Sequence, residues 1–181
     1  MKRPLCAWLC VALSTALGGC SVLSPLPTWE LIKAGGAAAH SALATAAPAR
    51  ASNTVHHGDA PVRQLCIEFN PNAPLDDLVP ALQAELRDQS VDSRVYEAGT
   101  GQLQCEVWLR YAATIEWGIP PLASQYRPNL AAVAISLHRA DGRLLSTSSY
   151  LQDSNYGMAR WASTRHKVAP VVKALITGFE S

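Results

Sequence analysis

No stretch of this sequence is apolar for the roughly 20 residues that a membrane-spanning helix needs. Charge is also scarce: Asp, Glu, Lys and Arg make up 16% of the chain, and the formal net charge is +1. Without a basic run or patch, a nucleic-acid surface is not expected. Low charge with many alanines fits a compact domain better than a disordered one. Enzyme signatures are missing as well. The chain has no Gly-x-Ser-x-Gly elbow, no Ser-x-x-Lys followed by Lys-Thr-Gly, and no glycine loop to cradle a phosphate. Paired acids occur at Asp76-Asp77, where a helix start explains them. The sequence gives an enzyme nothing to stand on, and it names no cofactor and no metal.

What is present begins at the amino terminus. Lys2 and Arg3 precede an apolar run from Pro4 to Leu17, and Leu17-Gly18-Gly19-Cys20 closes it. A basic start, a short apolar core and small residues make an export signal over residues 1–19. The tetrapeptide resembles the lipobox of bacterial lipoproteins, with Gly18 where that class more often has Ala, Ser or Thr. The resemblance implies that the Cys20 thiol receives a diacylglycerol, that the signal is cut before it, and that the new amino terminus is acylated. A thiolate is the natural nucleophile for such a transfer, and several acyl chains hold far more firmly than one. Ser21 rather than Asp follows the cysteine. By the same resemblance this favours the periplasmic side of the outer membrane. The alternative is an ordinary signal cut near Gly19, with Cys20 incidental.

Removing residues 1–19 leaves 162 of the 181 residues, with 13 Lys and Arg against 14 Asp and Glu. Residues 20–62 read as a lipidated start and a flexible Ala-, Pro- and Ser-rich tether. A short helix over 29–47 is conceivable there, weakened by Gly35 and Gly36. His56-His57 falls in this tether without ligand partners at useful spacing, and His40, His138 and His166 read as surface residues.

The domain is expected at 63–181. Leu65, Ile67 and Phe69 share one face of a strand over 63–69. A helix over 76–89 carries Leu75, Leu78, Val79, Leu82 and Leu86 on one stripe, and Pro80 is tolerated in its first turn. A strand over 92–98 follows. The clearest pattern is the alternation over 103–117, with Cys105, Val107, Leu109, Tyr111, Ala113, Ile115 and Trp117 on one face. Two more strands, 129–139 and 143–151, flank the hairpin signal Asp141-Gly142. A last helix over 159–178 has the stripe Trp161, Val168, Val172, Leu175 and Phe179, and Pro170 predicts a kink or a late start. The order β-α-β-β-β-β-α predicts an α+β two-layer sandwich, a mixed sheet of four to five strands with two helices on one face.

Two features concern sites. Cys66 and Cys105 are a candidate disulfide in an oxidising compartment. On an unbroken sheet their phases would point them to opposite faces, and a bulge near Cys105 would reverse that; the pairing stays open. The second is the loop from Trp117 to Pro128. Pro120 and Pro121 force an extended backbone, and Trp117, Ile119, Leu122 and Tyr126 supply apolar area. Trp, Tyr and Arg are the types enriched at binding hot spots, so Trp117, Pro120, Pro121 and Tyr126 form a candidate interaction loop. The plainer alternative is that these side chains cap the open edge of the core.

Cys66-Ile67-Glu68-Phe69-Asn70, then Cys105-x-Val-x-Leu-Arg-Tyr111-x-Ala113 and Glu116-Trp117, resembles a family of small Gram-negative envelope lipoproteins, the Sbal-type lipoproteins. Arg139-Ala-Asp-Gly142, Tyr150 and the run from Trp161 to Lys167 extend the likeness over 63–178. The family commonly has Asp where this chain has Gly118. The resemblance brings no assigned activity. Its layout is similar, more distantly, to envelope-assembly and transporter-auxiliary lipoproteins, which act by binding. The expectation is therefore a non-catalytic outer-membrane lipoprotein with a periplasmic binding or assembly role. Its partners would be the membrane, through Cys20, and an envelope protein. The alternatives are an envelope hydrolase with an unrecognised site and a purely structural lipoprotein.

Overall fold

The computed structural model describes residues 49–58, 61–100, 105–152 and 159–180. Cys20, His40 and the helix expected over 29–47 lie outside them.

Among the described residues, six strands and two helices are formed: β1 (Ser52–His56), β2 (Gln64–Phe69), α1 (Leu78–Asp88), β3 (Asp92–Glu97), β4 (Val107–Gly118), β5 (Arg127–Arg139), β6 (Leu144–Leu151) and α2 (Thr164–Thr177), with a 3-10 turn at Ala159–Trp161 before α2. The strands make one mixed sheet in the order β1-β6-β5-β4-β2-β3. β2 is parallel to both β3 and β4, and the remaining pairs are antiparallel. The fold is α+β, as expected, with one strand more than the sequence suggested.

The extra strand is β1, in the stretch read as the end of the tether. Only Val55 in it is large and apolar, so the alternation that marks a half-buried strand is missing. A hydroxyl ladder accompanies its backbone pairing instead. Ser52 Oγ lies 3.2 Å from Ser149 Oγ, Thr54 Oγ1 lies 2.9 Å from Ser148 Oγ, and Ser149 Oγ donates to the Ser52 carbonyl at 2.9 Å. Asn53, at φ 54°, sits at the register shift between Ser52 and Val55.

The core lies between the sheet and the helices. Leu65 and Ile67 of β2, Leu109 of β4, and Val133, Ile135 and Leu137 of β5 meet Leu78, Leu82 and Leu86 of α1 and Val168, Val172 and Leu175 of α2, all essentially buried. Alternation on the strands and helical spacing on α1 and α2 place these residues on facing surfaces. Arg165 joins the helices at their rim, donating to Glu85 Oε1 at 2.6 Å and to Asp88 Oδ2 at 2.7 Å.

Helix boundaries follow local chemistry. α1 starts at Leu78, so Pro80 falls in the first turn, where its missing N–H costs nothing. Asp77 is the residue before that turn, and its side chain makes no capping hydrogen bond. α2 starts at Thr164, and Pro170 lies inside it, so the start is not set by the proline as expected. Ser163 Oγ accepts from the His166 N–H at 3.2 Å, and Gly178, at φ 80°, closes the other end with its N–H on the Ala174 carbonyl.

Three side chains assigned to core stripes are exposed. Phe69 ends β2 and is 44% exposed, Phe179 lies past the Gly178 cap at 75%, and Trp117 is 63% exposed. The last shows how β4 is used. Its core-facing residues pass from buried Leu109 and Tyr111 to half-buried Ala113 and Ile115, then to exposed Trp117. The β4–β5 hairpin runs out from under the helices.

Candidate interaction site

The long hairpin presents the first candidate surface. β4 and β5 stay paired from Val107 with Arg139 to Gly118 with Arg127, with a register shift between Thr114 and Ile115. This shift brings Leu130 into the core beside Val133 and Ile135, because one extra residue in β5 changes which side chains face inward. Beyond it the tip is apolar and open: Ile119 is 47% exposed, Leu122 74% and Tyr126 68%. The Ala123 N–H turns back to the Pro120 carbonyl at 3.0 Å, and Leu122 adopts φ 64°. At the base, Arg160 pairs with Glu116 at 3.1 Å, and a side chain at position 118 would meet Arg160 and Trp161 at 3.2 Å. An acid in place of Gly118 would therefore need those neighbours to shift. The structure thus places Trp117, Pro120, Pro121 and Tyr126 together at one projecting tip, not over the core.

The helix-free face of the sheet is the second surface. β3 and β4 flank β2 and run parallel to it. Cys66 lies between the core residues Leu65 and Ile67 and so points away from the helices. There it is bonded to Cys105, with the two Cα atoms 6.0 Å apart. The phase objection does not apply, because Cys105 precedes β4, which begins at Val107. The bridge ties β2 to the residues just before β4. Trp108, opposite Cys66 in register, is buried beside it, and its ring lies 6.1 Å from that of Tyr96.

Next to Trp108 is a cleft of about 210 Å³ lined by Glu68, Arg110, His138 and Arg139, with Gly99, Thr100, Ala140 and Gly142 at its walls. Arg110 Nε donates to Glu68 Oε2 at 2.9 Å, and His138 Nε2 lies 3.0 Å from Ser136 Oγ. A second hollow of about 170 Å³ lies between β1, β6 and α2, near His56 and Leu175. Ligand pockets usually enclose roughly 300 to 1,000 Å³, so both hollows fall below that range. Among the described residues, no three His, Cys, Asp or Glu side chains gather as a metal site would require. His56, read as a tether residue, ends β1, where its Nδ1 accepts from the Gly58 N–H.

Lys167 was missed in the sequence. It is 1% exposed, and its Nζ donates to the Leu130 and Arg160 carbonyls, each at 2.7 Å, and reaches Gln152 Oε1 at 3.5 Å. Burial above all, then the positive charge of Arg160, brings its pKa from 10.5 down to about 8, against the pull of Asp77 and Glu116. Its contacts are carbonyls of the protein itself. It ties α2 to the 3-10 turn and to β5 at the base of the hairpin. The signal was helical spacing, since Thr164, Lys167, Val168, Val171 and Val172 fall on one buried stripe.

No protein-family model matches the chain, and no curated protein matches it. Among solved structures, a PelC variant dodecamer from Paraburkholderia phytofirmans is similar at TM-score 0.45 and 15% identity, over 69% of this chain and 98% of that one. A second PelC dodecamer from the same organism gives TM-score 0.41 and 11% identity over 67% and 96%. Both are distant likenesses.

Proposed function

We propose that this chain is a non-catalytic lipoprotein of the envelope, of the Sbal type. It is held by acyl groups on Cys20 at the periplasmic side of the outer membrane and works by binding another envelope component. The observation that carries the reading is the projecting tip. Trp117, Ile119, Leu122 and Tyr126 expose apolar area at the end of a hairpin paired as far as Gly118 and Arg127, where capping the core would have required them to be covered. Contiguous exposed apolar surface at a rigid site marks an interaction surface, and Trp and Tyr give contact area at low conformational cost. The lipobox at Leu17 to Cys20 supplies the reason for the address.

Replacing Cys20 by Ala tests the first half. The variant is expected in the soluble periplasmic fraction, while the parent fractionates with membranes. A variant that stays with the membrane would remove acylation from the account.

A further inference from the structure

We propose that the component met by the hairpin tip is the lipid leaflet itself. In this arrangement Trp117, Ile119, Leu122 and Tyr126 seat at the interface of the same membrane that holds acylated Cys20, giving the domain a second, orienting contact. The inference rests on the reading of Cys20 as the lipid anchor.

Strand direction carries the first argument. Gly118 lies opposite Arg127 at the tip end of β4 and β5. At that end of β5, Ala132 lies opposite Leu151, the last residue of β6. Ser149 of β6 lies opposite Ser52, the first residue of β1. β1 therefore begins at the end of the sheet from which the tip projects. Leu151, 74% exposed, lies at that end too.

The chemistry of the tip fits a headgroup boundary. From Trp117 to Pro128 the only charged side chain is Arg127, a cation suited to anionic lipid. Glu116, just before it, is paired with Arg160. Trp and Tyr favour the interface, where an apolar ring and a polar atom are both accommodated.

The full-length acylated protein, purified from membranes, is reconstituted in vesicles of phosphatidylethanolamine and phosphatidylglycerol with brominated acyl chains, and tryptophan emission is read. Four tryptophans follow the signal, at 29, 108, 117 and 161. A tip seated about 5–10 Å deep should thus lose up to about a quarter of the total emission through Trp117. Trp117→Phe is expected to abolish at least about half of the bromine quenching, and Leu122→Trp on that background to restore it. Equal quenching in the parent and Trp117→Phe, with none gained at position 122, would overturn the proposal. A photo-crosslinker at position 126 that captures one discrete protein in cells, in place of lipid, would also overturn it and leave the broader binding reading standing. Protein that carries no acyl group on Cys20 would instead remove the anchor on which both rest.

Discussion

Replacing Lys167 by Met asks what a buried, unpaired cation does to this fold. In the folded protein Lys167 gives up its proton near pH 8, and in the unfolded chain near 10.5. Below pH 8 both states are protonated, and burying the charge costs the folded state roughly 3 kcal/mol. Because the folded pKa is lowered, the penalty is present at low pH and fades as pH rises from 8 toward 10.5. Lys167 should therefore make the protein more stable by about 1 kcal/mol at pH 9 than at pH 7. Methionine keeps the apolar stem but leaves the Leu130 and Arg160 carbonyls without their donor, at about 1–3 kcal/mol each. At pH 7 the two effects largely offset, so the variant should be less stable by roughly 0–3 kcal/mol. At pH 9 its deficit should grow by about 1 kcal/mol. Burial also raises the Tyr150 pKa, and that effect is shared by both proteins. Urea unfolding of parent and variant at the two pH values measures the difference. If the deficit is the same at pH 7 and pH 9, Lys167 is not the buried titrating group described here.

The other predictions concern the staple and the tip. Replacing Cys66 and Cys105 together by Ser opens a loop with a sequence separation of 39, and in the chain-entropy model should cost about 4 kcal/mol in denaturant unfolding. A loss below about 1 kcal/mol would mean that β2 and the start of β4 are held together without the bridge. Trp117→Ser with Tyr126→Ser should change stability by no more than about 0.5 kcal/mol, because both side chains are exposed. A loss of about 2 kcal/mol or more, read by thermal unfolding, would restore the view that they cap the core.

Much of the fold was legible because burial writes itself as period. The alternation expected over 103–117 marks β4, which begins later, at Val107, and the stripe Leu78, Leu82 and Leu86 of the helix expected over 76–89 marks α1, which runs from Leu78 to Asp88. β1 left no such trace, since Ser52, Asn53 and Thr54 pair through backbone and hydroxyl groups that carry no hydrophobic signal. The cysteine pairing could not be read from phase, because the rule applies within strands and Cys105 lies before one. Position along a chain also does not reveal where helix cover ends. Trp117 keeps the phase of Leu109 and Tyr111, yet the hairpin has passed beyond the helices when it arrives. The prolines and exposed aromatics of the tip were visible from the start, whereas their place at the end of the sheet where β1 begins needed the strand register.

Everything proposed about location begins at Cys20. Mass analysis of the amino-terminal peptide from protein recovered with membranes bears on it most directly. The account predicts a peptide that starts at Cys20 and carries diacylglycerol on the thiol and an acyl group on the amine. A peptide that starts elsewhere, or one with a free Cys20 thiol, would contradict it.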